Sequence, residues 1–110
     1  MKPILKRMIK IYKPKGVDWL GFQTSKKNPY SYHHILKKVY GDYSDTDPNY
    51  KLNNGAILSD QGQRYIHSFE ETDLRKYNEL NNLLLELNRT RKPPTEEHWQ
   101  KVKKIKNEKG

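Results

Sequence analysis

The sequence predicts an α+β domain, and three observations carry that prediction. Two short runs of strand formers, Tyr30 to His33 and Gly55 to Ser59, bracket a polar middle segment. Apolar residues at helical spacing dominate both ends of the chain. A length of 110 residues with 33% hydrophobic content suits one domain, 1–110, built around a small core.

Each element has its own signal. Ile4, Leu5, Met8, Ile9 and Tyr12 share one side of a short helix over residues 4 to 12, which Pro14 and Gly16 end. VDWLGFQ, residues 17 to 23, is rich in strand formers and reads as a strand, followed by a turn at SKKNP. Residues 37 to 53 have no apolar period and read as a long loop, a length usually reserved for function or mobility. GAILS, residues 55 to 59, is a strand, and Ser59 or Asp60 caps a helix running to about Glu70. Thr72 can cap a longer helix whose stripe is Leu74, Tyr77, Leu80, Leu84 and Leu87, ending near Arg89. Lys92-Pro93-Pro94 is a linker, and Thr95 opens a last helix to about Asn107, with Trp99, Val102 and Ile105 on one face.

Composition narrows the function classes. Twenty-two Lys and Arg against 13 Asp and Glu give a net charge of +9, which suits an acidic partner, nucleic acid among them. The chain has no cysteine, so disulfides and thiolate metal sites are excluded, and a cytoplasmic setting is expected. No apolar run is long enough to span a membrane, and the basic start lacks the continuous apolar stretch of a signal peptide.

The histidines raise the sharper question. There are four, and two of them, His33 and His34, are adjacent in SYHHI. Neighbours on a strand point to opposite faces, so the pair has either two separate jobs or no job at all. Asn54 opens the next strand, with a turn reading of its own in Asn54-Gly55. Gln63 and His67 lie four apart on the following helix and share a face. A strand pair followed by a helix can gather these side chains into one small volume. His98, beside Trp99, has no assigned role.

The ordered set HH at 33 and 34, NGAIL at 54 to 58 and QGQRYIH at 61 to 67 resembles the HNH nuclease family, in particular small phage-encoded members. The resemblance implies a ββα-metal (His-Me finger) core at about 30–70, flanked by an N-terminal helix and strand over 3–23 and C-terminal helices over about 72–108. It implies a metal-dependent DNA endonuclease or nickase. His33, His67 and Gln63 would then be metal ligands and His34 the general base. Asn54 would be the brace that aims His34, and Gln63 would stand where many members have a further His. Three outcomes are open at Gln63: direct ligation, a water held on the metal, or loss of the site. A divalent ion is implied; Mg²⁺ and Mn²⁺ lead, with Ni²⁺ and Zn²⁺ open. Lys37, Lys38, Arg64, Lys101 and Lys104 would meet DNA phosphates. The same resemblance implies a phage-infected or mobile-element-bearing host cell, beside packaging or homing machinery. The rival expectation is a degenerate HNH fold serving as a DNA- or protein-binding module. Asp42, Asp45 and Asp47 make the long loop acidic, which suits either assistance to a metal or rejection of nonspecific duplex.

Overall fold

A computed structural model describes residues 1–36 and 48–108. Within them the order is α1 (Pro3–Tyr12), β1 (Tyr30–His34), α2 (Pro48–Asn53), β2 (Gly55–Ser59), α3 (Asp60–His67), α4 (Leu74–Thr90) and α5 (Glu96–Asn107). β1 and β2 form a two-stranded antiparallel sheet in which His33 faces Ala56 and His34 faces Gly55. The α+β expectation therefore holds. The acidic loop expected at 42–47, with Lys37 and Lys38, lies outside the described residues.

Strand parity divides the sheet. Tyr30, Tyr32, His34, Gly55, Ile57 and Ser59 share one face; Ser31, His33, Ala56 and Leu58 share the other. α1 covers the first face: a side chain at Gly55 would meet Met8 Sδ at 3.0 Å and the α2 carbonyl of Lys51 at 2.8 Å. α3 and α4 cover the second face and surround His33. All five residues of β2 are buried, so it is the spine of the core. Leu5, Met8, Tyr12, Trp19, Leu52, Ile66, Leu80, Leu84 and Leu87 pack around it.

Several sequence expectations are corrected. VDWLGFQ is not a strand: Val17 and Gln23 form a single bridge around a tight turn organised by Asp18. Asp18 is fully buried, and burial raises the pKa of its carboxyl despite opposing hydrogen bonds from Ser59 and backbone amides. Oδ1 accepts the N–H groups of Leu20 (2.9 Å) and Phe22 (3.0 Å); Oδ2 accepts Ser59 N–H (2.9 Å) and Ser59 Oγ–H (2.6 Å). The strand formers of this segment are used as core bulk instead, with Trp19 and Leu20 fully buried.

The segment read as loop up to residue 53 contains α2, six residues long, too short to show a helical period. α3 ends at His67 rather than near Glu70. α4 is capped by Asp73, which accepts Lys76 N–H at 3.2 Å, while Thr72 Oγ–H turns back to Ser68 O at 2.7 Å. Leu74, the first residue of α4, leaves the core stripe at 60% exposure. At the other end Tyr12, buried in α1, donates its hydroxyl hydrogen to Asn88 O. Arg91 donates to Tyr12 Oη (2.9 Å) and Asn88 Oδ1 (2.7 Å), tying α1 to the end of α4. α5 packs on α4, with Val102 and His98 buried and His98 Nε2–H donating to Trp19 O at 2.8 Å.

Two predictions test this frame. A Cβ at Gly62 would fall inside contact distance of Asp18 Oδ2, so Gly62→Ala should destabilise by about 2 kcal/mol through overpacking. An open helical site would instead gain about 1 kcal/mol; urea unfolding reads the sign. Burial lowers the pKa of His98 in the fold. The unfolded chain then binds the proton first. The contribution of His98 is complete above about pH 6.5, the unfolded value, and falls as pH drops from there toward the folded value. His98→Gln, which keeps a donor for Trp19 O, should flatten the acid loss of urea midpoint between pH 7.5 and 5.

Candidate metal centre

The chemistry-bearing side chains are set by three local choices. Strand alternation turns His33 inward, 2% exposed, and His34 outward to solvent. The one-turn spacing of α3 puts Gln63 and His67 on the same side of the helix. The Ser59 hydroxyl accepts Gly62 N–H at 3.1 Å, which starts α3 immediately after β2 and fixes its direction.

His33 sits between two amide oxygens. Its Nδ1 lies 3.2 Å from Gln63 Oε1 and its Nε2 lies 2.8 Å from Asn81 Oδ1. The orientation of both amides is set elsewhere. Gln63 Nε2 donates to Ser31 Oγ (3.1 Å) and Tyr32 O (2.9 Å), and Asn81 Nδ2 donates to Tyr77 O (3.2 Å). A neutral imidazole has one N–H, so it satisfies only one of the two oxygens. Burial pushes the His33 pKa down, and the nearby His67 adds to this against the hydrogen bonds from Asn81 and Gln63. The ring is therefore neutral near pH 7. Each contact corresponds to one tautomer; with the proton on Nε2, it is donated to Asn81 at the shorter distance. Nδ1 then presents a lone pair to the Gln63 oxygen.

The arrangement suits a cation. Atoms bound side by side to one ion at ~2.1 Å each stand ~3 Å apart, the spacing of Nδ1 and Oε1 here. The His67 ring lies beside them, its centroid 5.4 Å from that of His33 and its plane inclined by 65°. Two imidazoles on one ion have centroids about 4.5 to 6.5 Å apart, from ligand bonds of ~2.1 Å. His67 Nδ1 lies 3.1 Å from Glu70 Oε1; a neutral ring donating there keeps a lone pair on Nε2. Each ring thus has an outer oxygen that orients it, the pattern found around metal-bound histidines. Two imidazoles and an amide oxygen fit a divalent ion that takes its remaining ligands from water or phosphate. Among the described residues no three His, Cys, Asp or Glu side chains gather for a metal, so Gln63 decides the set.

His34 and Asn54 occupy the opposite face and the end of the hairpin. The His34 ring stands edge-on to Tyr32 at 4.9 Å, and Tyr32 Oη–H donates to Lys51 O at 2.7 Å. Asn54 is buried and bonds across to the chain leaving β1. Its Oδ1 accepts Leu36 N–H (2.8 Å), its Nδ2 donates to Leu36 O (2.8 Å), and its carbonyl accepts Ile35 N–H (2.9 Å). It thus holds both strand ends next to His34. Arg64 is exposed on α3, next to Gln63. Lys101 and Lys104 are exposed on α5, and Lys101 is shared between Glu86 (3.5 Å) and Glu97 (3.4 Å).

Sequence reasoning missed Asn81. The signal was present as a polar residue four positions after Tyr77, inside the apolar stripe of α4. No family model matches the chain, and neither a curated protein nor a solved structure is found to match it.

Asn81→Leu should leave His33 Nε2–H without its acceptor and cost about 1–3 kcal/mol. In the metal-free wild type, ring ¹⁵N shifts of His33 should report the Nε2-protonated tautomer. In Asn81→Leu the proton should move toward Nδ1, where Gln63 Oε1 can accept it.

Proposed function

We propose that the chain is a metal-dependent endonuclease or nickase of the HNH kind acting on DNA, with β1, β2 and α3 as its ββα-metal core. One observation carries the reading. His33 Nδ1 and Gln63 Oε1 lie 3.2 Å apart in a partly buried place beside the His67 ring, so with the His33 proton on Nε2 both offer lone pairs that a cation can take. His33, Gln63 and His67 would hold the ion, with Mn²⁺, Ni²⁺ or Zn²⁺ favoured by the imidazoles and Mg²⁺ by abundance. When bound, the ion supplies charge that holds the scissile phosphate and stabilises the departing oxygen.

The remaining roles belong to the chain. His34 takes the proton from the attacking water, work suited to an exposed imidazole near neutral pH. Asn54 keeps the end of β1 in place, so His34 has a defined approach. Asn81 keeps the proton on His33 Nε2, leaving Nδ1 available. Arg64 and the basic surface draw in phosphates, which makes binding salt dependent and largely indifferent to sequence. A single site of this kind cuts one strand per engagement. A phage or mobile-element setting follows from the same resemblance.

A second reading has its own support. The Gln63 amide is already held by Ser31 and Tyr32, so it does not need an ion to be ordered. That favours a binding module on the same fold.

Supercoiled plasmid separates the two. With Mg²⁺, Mn²⁺, Ni²⁺ or Zn²⁺ the wild type should relax it, and His34→Ala should lower the rate by about 10²- to 10⁴-fold, the usual size of general-base catalysis. Gln63→His should tighten metal affinity if Gln63 is a ligand. DNA retention on a gel without cleavage under any metal would hand the chain to the binding-module reading.

A further inference from the structure

We propose that a basic trough through Trp99, separate from the His33–His67 centre, binds single-stranded nucleic acid, with a base stacked on the indole and phosphates on flanking lysines. Trp99 is half-buried on α5 and lines two open grooves. One, of about 240 Å³, lies between the end of α1 and the linker before α5, with Lys13, Lys15 and Pro93 in its wall. The other, of about 310 Å³, runs along α5 beside Gly21, with Lys103 and Lys106 in its wall. Among the described residues no carboxylate lines either groove.

The charges there are available. Lys13, Lys15 and Lys103 are exposed and have no carboxylate partner among the described residues. Lys106 is half-buried: it donates to Leu20 O at 3.1 Å and lies over the Phe22 ring at 4.0 Å, which pins its ammonium at the groove edge. The contrast is the groove between α4 and α5, where Glu86 and Glu97 neutralise Lys101. Positive charge is therefore concentrated around one aromatic ring. Lysines alone would take any polyanion. A ring in their midst selects one whose flat faces are exposed, and bases offer such faces only when unpaired.

The experiment follows tryptophan fluorescence of the intact chain carrying His34→Ala, in EDTA, so that its outcome is independent of any hydrolysis. Trp19 is fully buried, so a change in emission reports Trp99. Oligothymidylate and oligouridylate should quench it to saturation, with a log–log salt slope of about −2 to −3 for three or four phosphates. Trp99→Phe should keep the affinity, read by fluorescence anisotropy of a labelled oligothymidylate. Trp99→Leu should weaken it by about 5- to 150-fold, the span of one lost base stack. Lys15→Glu with Lys103→Glu should weaken it at least as much. Equal quenching by duplex DNA or polyglutamate would reduce the trough to a general polyanion surface and overturn the proposal. So would unchanged emission at saturating oligonucleotide, or full affinity in Trp99→Leu.

Discussion

A two-stranded sheet has little stability of its own, and in this protein its register is held at both ends by buried polar side chains. At the Tyr30–Ser59 end, Asp18 grips Ser59 through its amide and its hydroxyl. At the His34–Gly55 end, Asn54 ties Leu36, and Asn88 Nδ2 donates to the carbonyls of Leu52 and Gly55, each at 2.7 Å. A slip of one residue would exchange the faces of every side chain on β1. His33 would then point away from Asn81 and His34 would enter the core. The site geometry depends on that register more than on any single contact within it.

The same clamps explain how a chain with 33% hydrophobic residues closes a core. Fully buried Tyr12 and Trp19 meet edge-on at 4.8 Å, supplying bulk that aliphatic residues are too few to provide. Their backbone neighbours and hydroxyl are served by polar partners from distant elements: Asn88 and Arg91 for Tyr12, and His98 for the Trp19 carbonyl. Buried polar groups of this kind are costly when unpaired and stabilise one arrangement when satisfied. α4 carries Asn81 and Asn88 for this purpose, so one helix closes the core and also orients the inward histidine.

That dual use links fold to site. Asn81 engages the His33 ring, Ser31 and Tyr32 give the Gln63 amide its direction, and Glu70 engages the His67 ring. Each of these side chains is thus oriented by a partner outside the trio. Around Trp99, Lys13, Lys15 and Lys103 have no carboxylate partner among the described residues, whereas Lys101 on α5 is neutralised by Glu86 and Glu97. Charge is distributed by sector rather than spread evenly over the surface.

Periodicity and alternation were enough to read β1, β2, α3, α4 and α5 to within a few residues, because each is a local pattern of apolar positions. The opposite facing of His33 and His34, and the shared face of Gln63 and His67, follow from strand and helix geometry alone. Local pattern failed at VDWLGFQ, where strand propensity was overruled by the buried Asp18 carboxylate and its partners 41 residues away. It failed at α2, which is shorter than the window a period needs. Only the tertiary structure brought Asn81 to His33 across 48 residues and set the two amide oxygens against one ring. The reason is physical: which polar atom meets which is decided by long-range packing, and no local propensity records it.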